Sequence, residues 1–234
     1  MPPTRGEMKA VLTRALRDEG QVFTSEVLND FIEEGLSDLS LFRPAETHFT
    51  VPFQPGLSAT SGLDPADYAE LTYLWQVEAY AEQSDMMPMV IPYVSSGESP
   101  YRNGWHFYTN EIGLSSWWYV YLRNLVDLSP TGNVFIHLFG YRDRRFPAAD
   151  DELLDLIDNI DHLCLLRHCK MLGFQLLEAD RGLYQQWLAA TNNTDVSPTQ
   201  LQGMRGQAEQ SYERLRKQSA RPRRVPTTNV QYVS

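Results

Sequence analysis

The stretch "LLRHCKMLGFQLLEADRGLYQQWLAATNN" (residues 165–193) decides the fold class, because apolar side chains recur along it at intervals of three and four. A helix-compatible pattern begins earlier, where Pro147 and the acidic residues 150–152 favour a helix start, and it continues to about Ala190. Unbroken, such a helix would be about 60 Å long at ~1.5 Å per residue. It needs partners along most of its length, so a helical bundle is predicted. The stripe consists of Leu165, Cys169, Leu172, Leu176, Ala179, Leu183 and Trp187.

Three further helices can supply those partners. The closing helix "PTQLQGMRGQAEQSYERLRKQ" (198–218) follows a cap at Ser197 and has Pro198 at its first position. Near the N-terminus, a helix from Glu7 to Leu16 precedes one that Thr24 caps and that ends at "RPAE" (43–46). We therefore assign residues 1–46 to an N-terminal helical hairpin of the bundle and residues 147–218 to its C-terminal helices.

The middle of the chain, residues 47–146, changes character and is predicted to be a β-rich insertion. Aromatic and β-branched residues alternate with polar ones, and turn residues interrupt the pattern repeatedly. The segment "WWYVYL" (117–122) within residues 114–130 fits a strand or a short helix. The predicted class is α+β: mainly an α-helical bundle with a β-rich insertion and an extended C-terminal tail. The candidate strands are residues 47–53, 69–80, 87–94, 103–110, 114–121 and 133–141.

The last segment, residues 219–234, is predicted to be an extended tail. Arg221, Arg223 and Arg224 surround Pro222, and an uncharged stretch follows from Val225 to the end. The segment carries too little apolar surface to offset its ordering entropy. It is therefore either disordered or built to dock on another protein.

Composition limits the function classes. A chain of 234 residues with 42% hydrophobic content can bury a core, and its formal net charge of −10 opposes unaided binding to nucleic acid. Cys164 and Cys169 lie five residues apart in an apolar helical stretch, and we interpret them as reduced thiols. No apolar run has the length of a signal peptide or a membrane span. These features predict a chain made and kept in a cytoplasm, with no membrane association.

Few residues suggest chemistry. Asp161, Cys164 and His168 fall near one helical face and resemble a metal site, but they lack the paired short spacings of structural zinc sites. The acids Asp155 and Asp158, with Asp161, space like the solvated face of a helix. No nucleotide-binding, phosphate-loop or nucleophile-elbow motif occurs. We therefore predict no cofactor, no metal and no catalytic residue.

Other functions remain as alternatives. The aromatic side chains of the insertion, Trp105, Phe107, Trp117, Trp118, Tyr119 and Tyr121, could stack on bases, but sheet packing explains their alternation better. A small-molecule or metal-dependent enzyme would need a pocket assembled from distant residues. A DNA-binding regulator would use the basic helix 205–217, although Glu209 and Glu213 interrupt its basic face.

The layout resembles the head-to-tail adaptor (connector or neck) proteins of tailed bacteriophages. The residues that carry the resemblance are the N-terminal helices "MKAVLTRALRDEG" (8–20) and "TSEVLNDFIEEGLSDLS" (24–40), the strand-rich insertion, and the closing pair 165–193 and "LQGMRGQAEQSYERLRKQ" (201–218). A more distant similarity is to the tubular tail proteins of short-tailed phages. A phage tail tube or tail completion protein is therefore the nearest alternative. The insertion, at nearly a hundred residues, is larger than in the compact helical adaptors.

The resemblance implies a structural protein of the virion neck that is assembled in the host cytoplasm and is not an enzyme. Family members form a ring, usually of twelve subunits, that lies beneath the portal, joins a tail, tail-terminator or nozzle protein, and passes DNA through its lumen. The C-terminal segment binds the portal, and here the matching segment is 221–234. The expected docking residues are Arg214, Arg216, Lys217, Arg221, Arg223, Arg224, Val225, Val230 and Tyr232.

A ring also requires contacts between subunits. The long helix carries apolar residues on more than one face, and "LCLL" (163–166) is apolar all round. We therefore expect the bundle to bury part of this helix and a neighbouring subunit to bury the rest. The expected subunit-packing residues are Leu165, Leu172, Leu176, Leu183 and Trp187.

Overall fold

The computed structural model describes residues 1–18, 22–53, 60–63, 70–81, 89–91, 93–94, 104–109, 116–121, 134–190 and 196–226. Within these ranges the chain forms both helices and strands, which confirms the predicted α+β class. The helices are α1 (Arg5–Ala15), α2 (Ser25–Phe42), α3 (Asn159–Ala179), α4 (Arg181–Ala190) and α5 (Pro198–Ser219). The strands are β1 (Ala45–Phe53), β2 (Thr60–Leu63), β3 (Tyr73–Ala81), β4 (Met89–Ile91), β5 (Gly104–Thr109), β6 (Ser116–Tyr121) and β7 (Val134–Arg142).

The helix starts follow from side-chain caps. The Val27 amide donates to the Thr24 hydroxyl at 3.3 Å, and the Gln200 amide donates to the Ser197 hydroxyl at 3.3 Å. Both caps were predicted from the sequence and are confirmed. Thr4 and Glu7 add a reciprocal capping box at the start of α1. Each cap satisfies amides that the first helical turn leaves without a partner.

The single long helix predicted from about Asp151 to Ala190 is wrong at its start. Asp158 caps α3, accepting from the amides of Ile160 and Asp161 at 3.0 and 2.9 Å. The preceding residues hydrogen-bond to the N-terminal segment instead, because the Leu154 amide donates to the Pro3 carbonyl at 2.9 Å. These non-helical partners hold residues 150–157 outside the helix.

The same helix is also interrupted near its end. Asp180 has an extended backbone, with φ −110° and ψ 103°, and so ends α3. Its carboxylate accepts from the amides of Gly182 and Leu183 at 2.8 and 3.0 Å, which starts α4. Aspartate competes with the helical backbone for hydrogen bonds, and here that local preference breaks the apolar stripe.

The chain divides into two compact units. One comprises Met1–Ala45 and Arg144–Pro222, and the other comprises Glu46–Asp143 and Arg223–Ser234. The described helices belong to the first unit, and the described strands belong to the second apart from the first residue of β1. No described helix is long and apolar enough to cross a membrane.

The second unit contains two sheets. The four-stranded sheet has the order β1-β7-β3-β4, with antiparallel β3–β7 and β3–β4 pairs. The three-stranded sheet has the order β2-β6-β5 and is antiparallel throughout. Residues 116–121 are therefore strand, which resolves that part of the 114–130 ambiguity. The short strand β2 was not predicted from the sequence.

Trp105 packs in the core of the strand-rich unit. It is 2% exposed, and its ring meets that of Tyr93 edge-on at 5.0 Å between centroids. Sheet packing, rather than base stacking, therefore accounts for this residue. The side chains of Phe107, Trp117, Trp118, Tyr119 and Tyr121 lie outside what the structure describes.

The helical core is close-packed around two glycines. A Cβ atom at Gly35 of α2 would be 2.5 Å from Leu165 Cδ1 of α3, and one at Gly173 would be 2.6 Å from Leu16 Cδ2. These distances are shorter than van der Waals contact, so α2 and α1 approach α3 where no side chain intervenes. Gly206 of α5 differs, since a Cβ atom there would meet nothing within 4 Å.

Alanine substitutions at these glycines should have opposite effects on stability. Gly35→Ala forces Leu165 to move in a packed core and should lower the free energy of unfolding by about 1–3 kcal/mol. Gly206→Ala adds helix propensity without a clash and should raise it by about 0.5–1 kcal/mol. Urea unfolding of both variants measures the difference, and a stabilising Gly35→Ala would contradict the close α2–α3 contact.

Candidate functional site

A completely buried carboxylate lies in the first compact unit, which we call the helical unit. It is close to the two points at which the chain passes between the two units. Asp161, in the first turn of α3, is 0% exposed. Its Oδ1 accepts from Nε of Arg43 at 2.5 Å, and its Oδ2 pairs with an amino group of Arg144 at 2.8 Å. Arg43 follows α2 directly, and Arg144 is the first residue of the helical unit after the segment Glu46–Asp143. One carboxylate on α3 therefore binds a residue just before the inserted segment and a residue just after it.

The amino groups of the two arginines bind further nearby oxygens, whereas Nε of Arg144 is buried without a hydrogen-bond partner among the described residues. Arg43 binds the Asp158 carboxylate at 2.7 Å and the Ser219 carbonyl at 2.7 Å. Arg144 donates to the carbonyls of Asp155 and Arg43, both at 2.7 Å. Removing charged groups from water is tolerated when such bonds replace their hydration. We call Arg43, Arg144, Asp158 and Asp161 the junction.

Burial and charge act against each other in the junction. Burial opposes the charged form of Arg43, but the carboxylates of Asp161 and Asp158 outweigh it and raise the pKa of Arg43. Burial prevails at Arg144 and lowers its pKa below the usual value. At Asp158, burial is outweighed by the Asp161 amide and by Arg43 and Arg221, so the pKa of Asp158 is lowered.

The assignment of Asp161 to a solvated helix face is wrong. Asp161 lies three and four residues before the buried Cys164 and Leu165, so it shares their face of α3. That spacing was the available signal, whereas nothing in the sequence singled out Arg43 or Arg144 as its partners.

The metal-like trio does not form a metal site. Both oxygens of Asp161 are held by arginines, while the Cys164 sulfur contacts the Ser219 hydroxyl at 3.5 Å. His168 lies instead 3.7 Å from the Glu34 carboxylate and 3.8 Å from that of Asp38. Among the described residues, no three carboxylate, thiol or imidazole groups are placed to hold a metal ion.

The root of the C-terminal tail is attached beside the junction. The Arg221 amide donates to the Phe42 carbonyl at 3.0 Å, and its guanidinium pairs with Asp158 at 3.1 Å. Both side chains of this pair are about 40% exposed (41% and 36%), so the pair contributes at most about 1 kcal/mol. Arg221 is therefore held, but weakly.

Arg224 is held by the strand-rich unit. Its guanidinium carbon lies 4.4 Å from the centroid of the Trp75 ring, and its amide donates to the Tyr141 hydroxyl at 3.0 Å. A salt bridge to Glu46 at 3.5 Å adds to these contacts. The following residue, Val225, is 80% exposed. The described contacts of the tail with its own chain therefore concentrate at Arg221 and Arg224.

The remaining predicted docking residues differ in exposure. Arg214, Lys217 and Arg223 are exposed. Arg216 pairs with Asp38 at 3.8 Å and with Glu213 at 3.6 Å, and it lies 5.5 Å from the Phe42 ring centroid. Val230 and Tyr232 lie outside the described residues.

The predicted subunit-packing residues lie in or against the core of the helical unit. Leu165 and Trp187 are 0% exposed, and Trp187 donates its indole N–H to the Leu16 carbonyl at 3.0 Å. These two side chains have no surface to offer a neighbour. Leu172, Leu176 and Leu183 are half-buried and pack against the same core.

A second buried polar group lies between α2, α3 and α5. His168 is 6% exposed, with the Tyr212 ring edge-on at 4.9 Å, and neither of its ring nitrogens has a hydrogen-bond partner. Glu34 and Asp38 of α2 face it, and Arg216 of α5 lies beyond Asp38. Burial outweighs the carboxylates and lowers the pKa of His168, so the neutral form is favoured in the folded chain.

Comparison with known families identifies the chain. Residues 3–228 match the family described as SU10 adaptor protein. The chain belongs to the SU10 adaptor protein family. This confirms the predicted resemblance to phage head-to-tail adaptors. No curated protein matches the chain.

Membership fixes the coarse role of this adaptor. Adaptors of this family are structural proteins of phage virions at the neck, where they associate with portal and tail. In the helical unit of this adaptor, the junction and the tail root lie together at the end of α2, since Arg43 and Arg221 share Asp158.

Neutralising the buried carboxylate should be far more damaging than neutralising its neighbour. Asp161→Asn leaves two buried arginines without their counter-ion and should lower the free energy of unfolding by about 3–5 kcal/mol. Asp158→Asn keeps a good helix cap and loses only partly exposed pairs, so about 1 kcal/mol or less is expected. Denaturant unfolding compares the two, and equal losses would contradict the central role of Asp161.

The buried histidine should make stability depend on pH above the range of the carboxylates. The pKa of His168 is lowered in the fold, so protonation near pH 6.5 favours the unfolded chain. The free energy of unfolding should therefore fall as the pH decreases from 7 to 5. The lowered pKa values of Asp150 and Asp158 act only below about pH 4.

His168→Gln should flatten this dependence, since glutamine does not titrate. The measurement is denaturant unfolding of both proteins at pH 7.5, 6.5 and 5.5. Parallel curves for the two proteins would show that another group causes the dependence.

Proposed function

We propose that this adaptor forms a ring, of twelve subunits as the family resemblance implies, beneath the portal. In this proposal the C-terminal tail docks on the portal, the insertion faces the tail or a nozzle protein, and DNA passes through the lumen. The observation that carries the proposal is that, in a chain of this family, the tail contacts its own chain at Arg221 and Arg224, which we call the tail root. The tail is held at Arg221 and Arg224 and then has an exposed side chain at Val225.

The tail has the chemistry of a docking strand. From Val225 onward the sequence "VPTTNVQYVS" carries no charged side chain, and it is rich in β-branched residues, with one tyrosine. An extended segment of this kind can add to a sheet edge through its backbone, with Val230 and Tyr232 filling pockets. The exposed Arg214, Lys217 and Arg223 can then pair with carboxylates of the partner.

The weakness of the tail root suits docking. Arg221 and Arg224 are 41% and 55% exposed in their ion pairs, so exchanging Asp158 or Glu46 for a portal carboxylate costs little. Arg216 has similar exposure, at 37%. All three can therefore serve the folded subunit before assembly and the portal after it.

The charge of the body suits a passage for DNA. A subunit with a formal net charge of −10 repels phosphate, and a ring multiplies that charge around its bore. A lumen that repels the backbone lets DNA slide without binding. The proposal therefore includes no specific DNA contact.

Deleting residues 225–234 should weaken attachment to the portal while sparing the fold. The truncated chain keeps Arg221 and Arg224 with their described contacts, so its melting temperature should stay within about 1–2 °C of the full chain. Its affinity for the portal protein of the same phage should fall by at least about tenfold, which is ~1.4 kcal/mol. Binding is measured with purified portal, and melting on the same samples.

Two control variants separate the parts of the tail. A chain with residues 225–234 scrambled keeps the composition and should bind as poorly as the truncated one. Arg223→Gln, which removes a charge without a described ion pair, should weaken binding modestly and reduce its sensitivity to salt. Equal portal binding by full-length and truncated chains would refute docking through the tail, and a large fall in melting temperature would mean that the tail packs on its own chain.

A further inference from the structure

An acidic stripe runs along the outer side of α2. Glu26, Asp30 and Glu33 are exposed, and the described residues offer Asp30 and Glu33 no ion pair. The stripe ends at Leu41, an apolar side chain that is 63% exposed. At 100° per residue these positions lie opposite Gly35, which faces α3.

A stripe of opposite character runs along the outer side of α3. Ile160 and Leu163 are 43% and 44% exposed, and the half-buried Arg167 and Lys170 follow at helical spacing. The Lys170 ammonium lies 5.6 Å from the centroid of the Phe174 ring. Burial, together with the positive charges of Arg167 and Arg17, lowers the pKa of Lys170. The described residues supply no ion-pairing carboxylate to Arg167 or Lys170. This stripe lies on the opposite side of α3 from Leu165, which contacts α2.

The two stripes are matched in height along the helices. The Cys169 thiol donates to the Phe31 carbonyl at 3.2 Å, and Gly35 faces Leu165, so α2 and α3 run antiparallel. In an antiparallel pair, each step forward along α2 corresponds to one step backward along α3. Glu33 therefore lies at the same position along the helix axes as Arg167, and Asp30 at the same position as Lys170. Leu41 is likewise nearly level with Ile160. The acidic part of one stripe is therefore level with the basic part of the other, and the apolar ends are also level.

We infer that the α2 stripe of one subunit packs against the α3 stripe of a second copy of this chain. Because the stripes face away from each other, each subunit presents one of them to each of two neighbours. Such a head-to-tail contact closes into a ring when the rotation permits. If the rotation axis of the ring is roughly parallel to the two helices, residues keep their position along that axis from one subunit to the next. Asp30 and Glu33 then face Arg167 and Lys170 of the neighbour, and Leu41 faces Ile160 and Leu163.

This inference rests on the proposed ring and specifies its lateral contact. Other occupants fit less well. DNA would be repelled by the α2 stripe, and a single protein partner would leave one of two complementary stripes uncovered. A second copy covers both stripes and satisfies both sets of charges.

Charge reversal in the full-length chain tests the contact. One variant carries Asp30→Lys and Glu33→Lys, and the other carries Arg167→Glu and Lys170→Glu. In either variant alone both stripes have the same sign, so the protein concentration needed for assembly should rise at least about tenfold, in line with ~1.4 kcal/mol per subunit contact. An equimolar mixture restores opposite signs at each contact between unlike variants and should assemble again, with the two variants alternating.

The readouts are light scattering and native mass spectrometry, with circular dichroism and melting temperature as fold controls. Glu33→Lys is matched with Glu209→Lys, which makes the same charge change on α5 and should not affect assembly. A cysteine pair, Ser37→Cys with Leu163→Cys, adds a test by oxidation, since these positions are also level. The pair should give a ladder of linked chains, while either cysteine alone should give at most dimers.

The outcomes distinguish this inference from the proposed function. Wild-type rings accompanied by equal assembly of both reversed variants would overturn the α2–α3 contact and leave the ring standing. A wild-type chain that never self-associates, with no ladder from the cysteine pair, would overturn both. Normal rings with lost portal binding in the reversed variants would identify the portal as the occupant and overturn the second-copy assignment.

Discussion

The burial of the Asp161 carboxylate is the constraint on which the helical unit depends. A charge at 0% exposure is tolerated only when counter-charges and hydrogen bonds replace its water. Arg43 and Arg144 supply them, and in the sequence these two residues lie on either side of the segment Glu46–Asp143. A single carboxylate thus joins positions more than a hundred residues apart, and the helical unit closes across a large inserted segment. Such a network contributes a defined geometry more than net stability, because an apolar cluster of similar volume could be equally stable.

The same constraint explains where the tail begins. Arg43 uses one amino group on Asp158 and another on the Ser219 carbonyl, so the end of α5 is fixed to the end of α2. Arg221 then shares Asp158 at the surface, in a pair that water screens. The ion pairs therefore become weaker from the buried pairs of Asp161 to the partly exposed pair of Arg221 with Asp158. In the proposed docking role this gradient is an advantage, since the origin of the tail is positioned while its own contacts exchange at little cost.

The sequence predicts what depends on short-range patterns. Caps at Thr24 and Ser197 and five of the strands follow from local spacing and are confirmed, whereas residues 116–121, left open between strand and helix, form a strand. The prediction of one continuous helix is wrong near its end because Asp180 forms local hydrogen bonds that interrupt the apolar stripe. The junction was missed for a different reason. Its partners are brought together only by the tertiary fold, and no pattern in a single sequence relates Arg43 to Asp161.

Charge is segregated in this chain at three levels, and each level has a separate physical role. The net excess of carboxylates keeps phosphate at a distance over long range. Inside the helical unit, arginine and aspartate pair in the dry junction, where direction and distance are fixed. On the surface, Asp30 and Glu33 lie apart from Arg167 and Lys170, so neither set is neutralised within its own subunit. In the inferred contact between copies, charges of opposite sign on opposite sides favour the ordered addition of identical chains over random aggregation, because like charges oppose the other pairings of the two stripes.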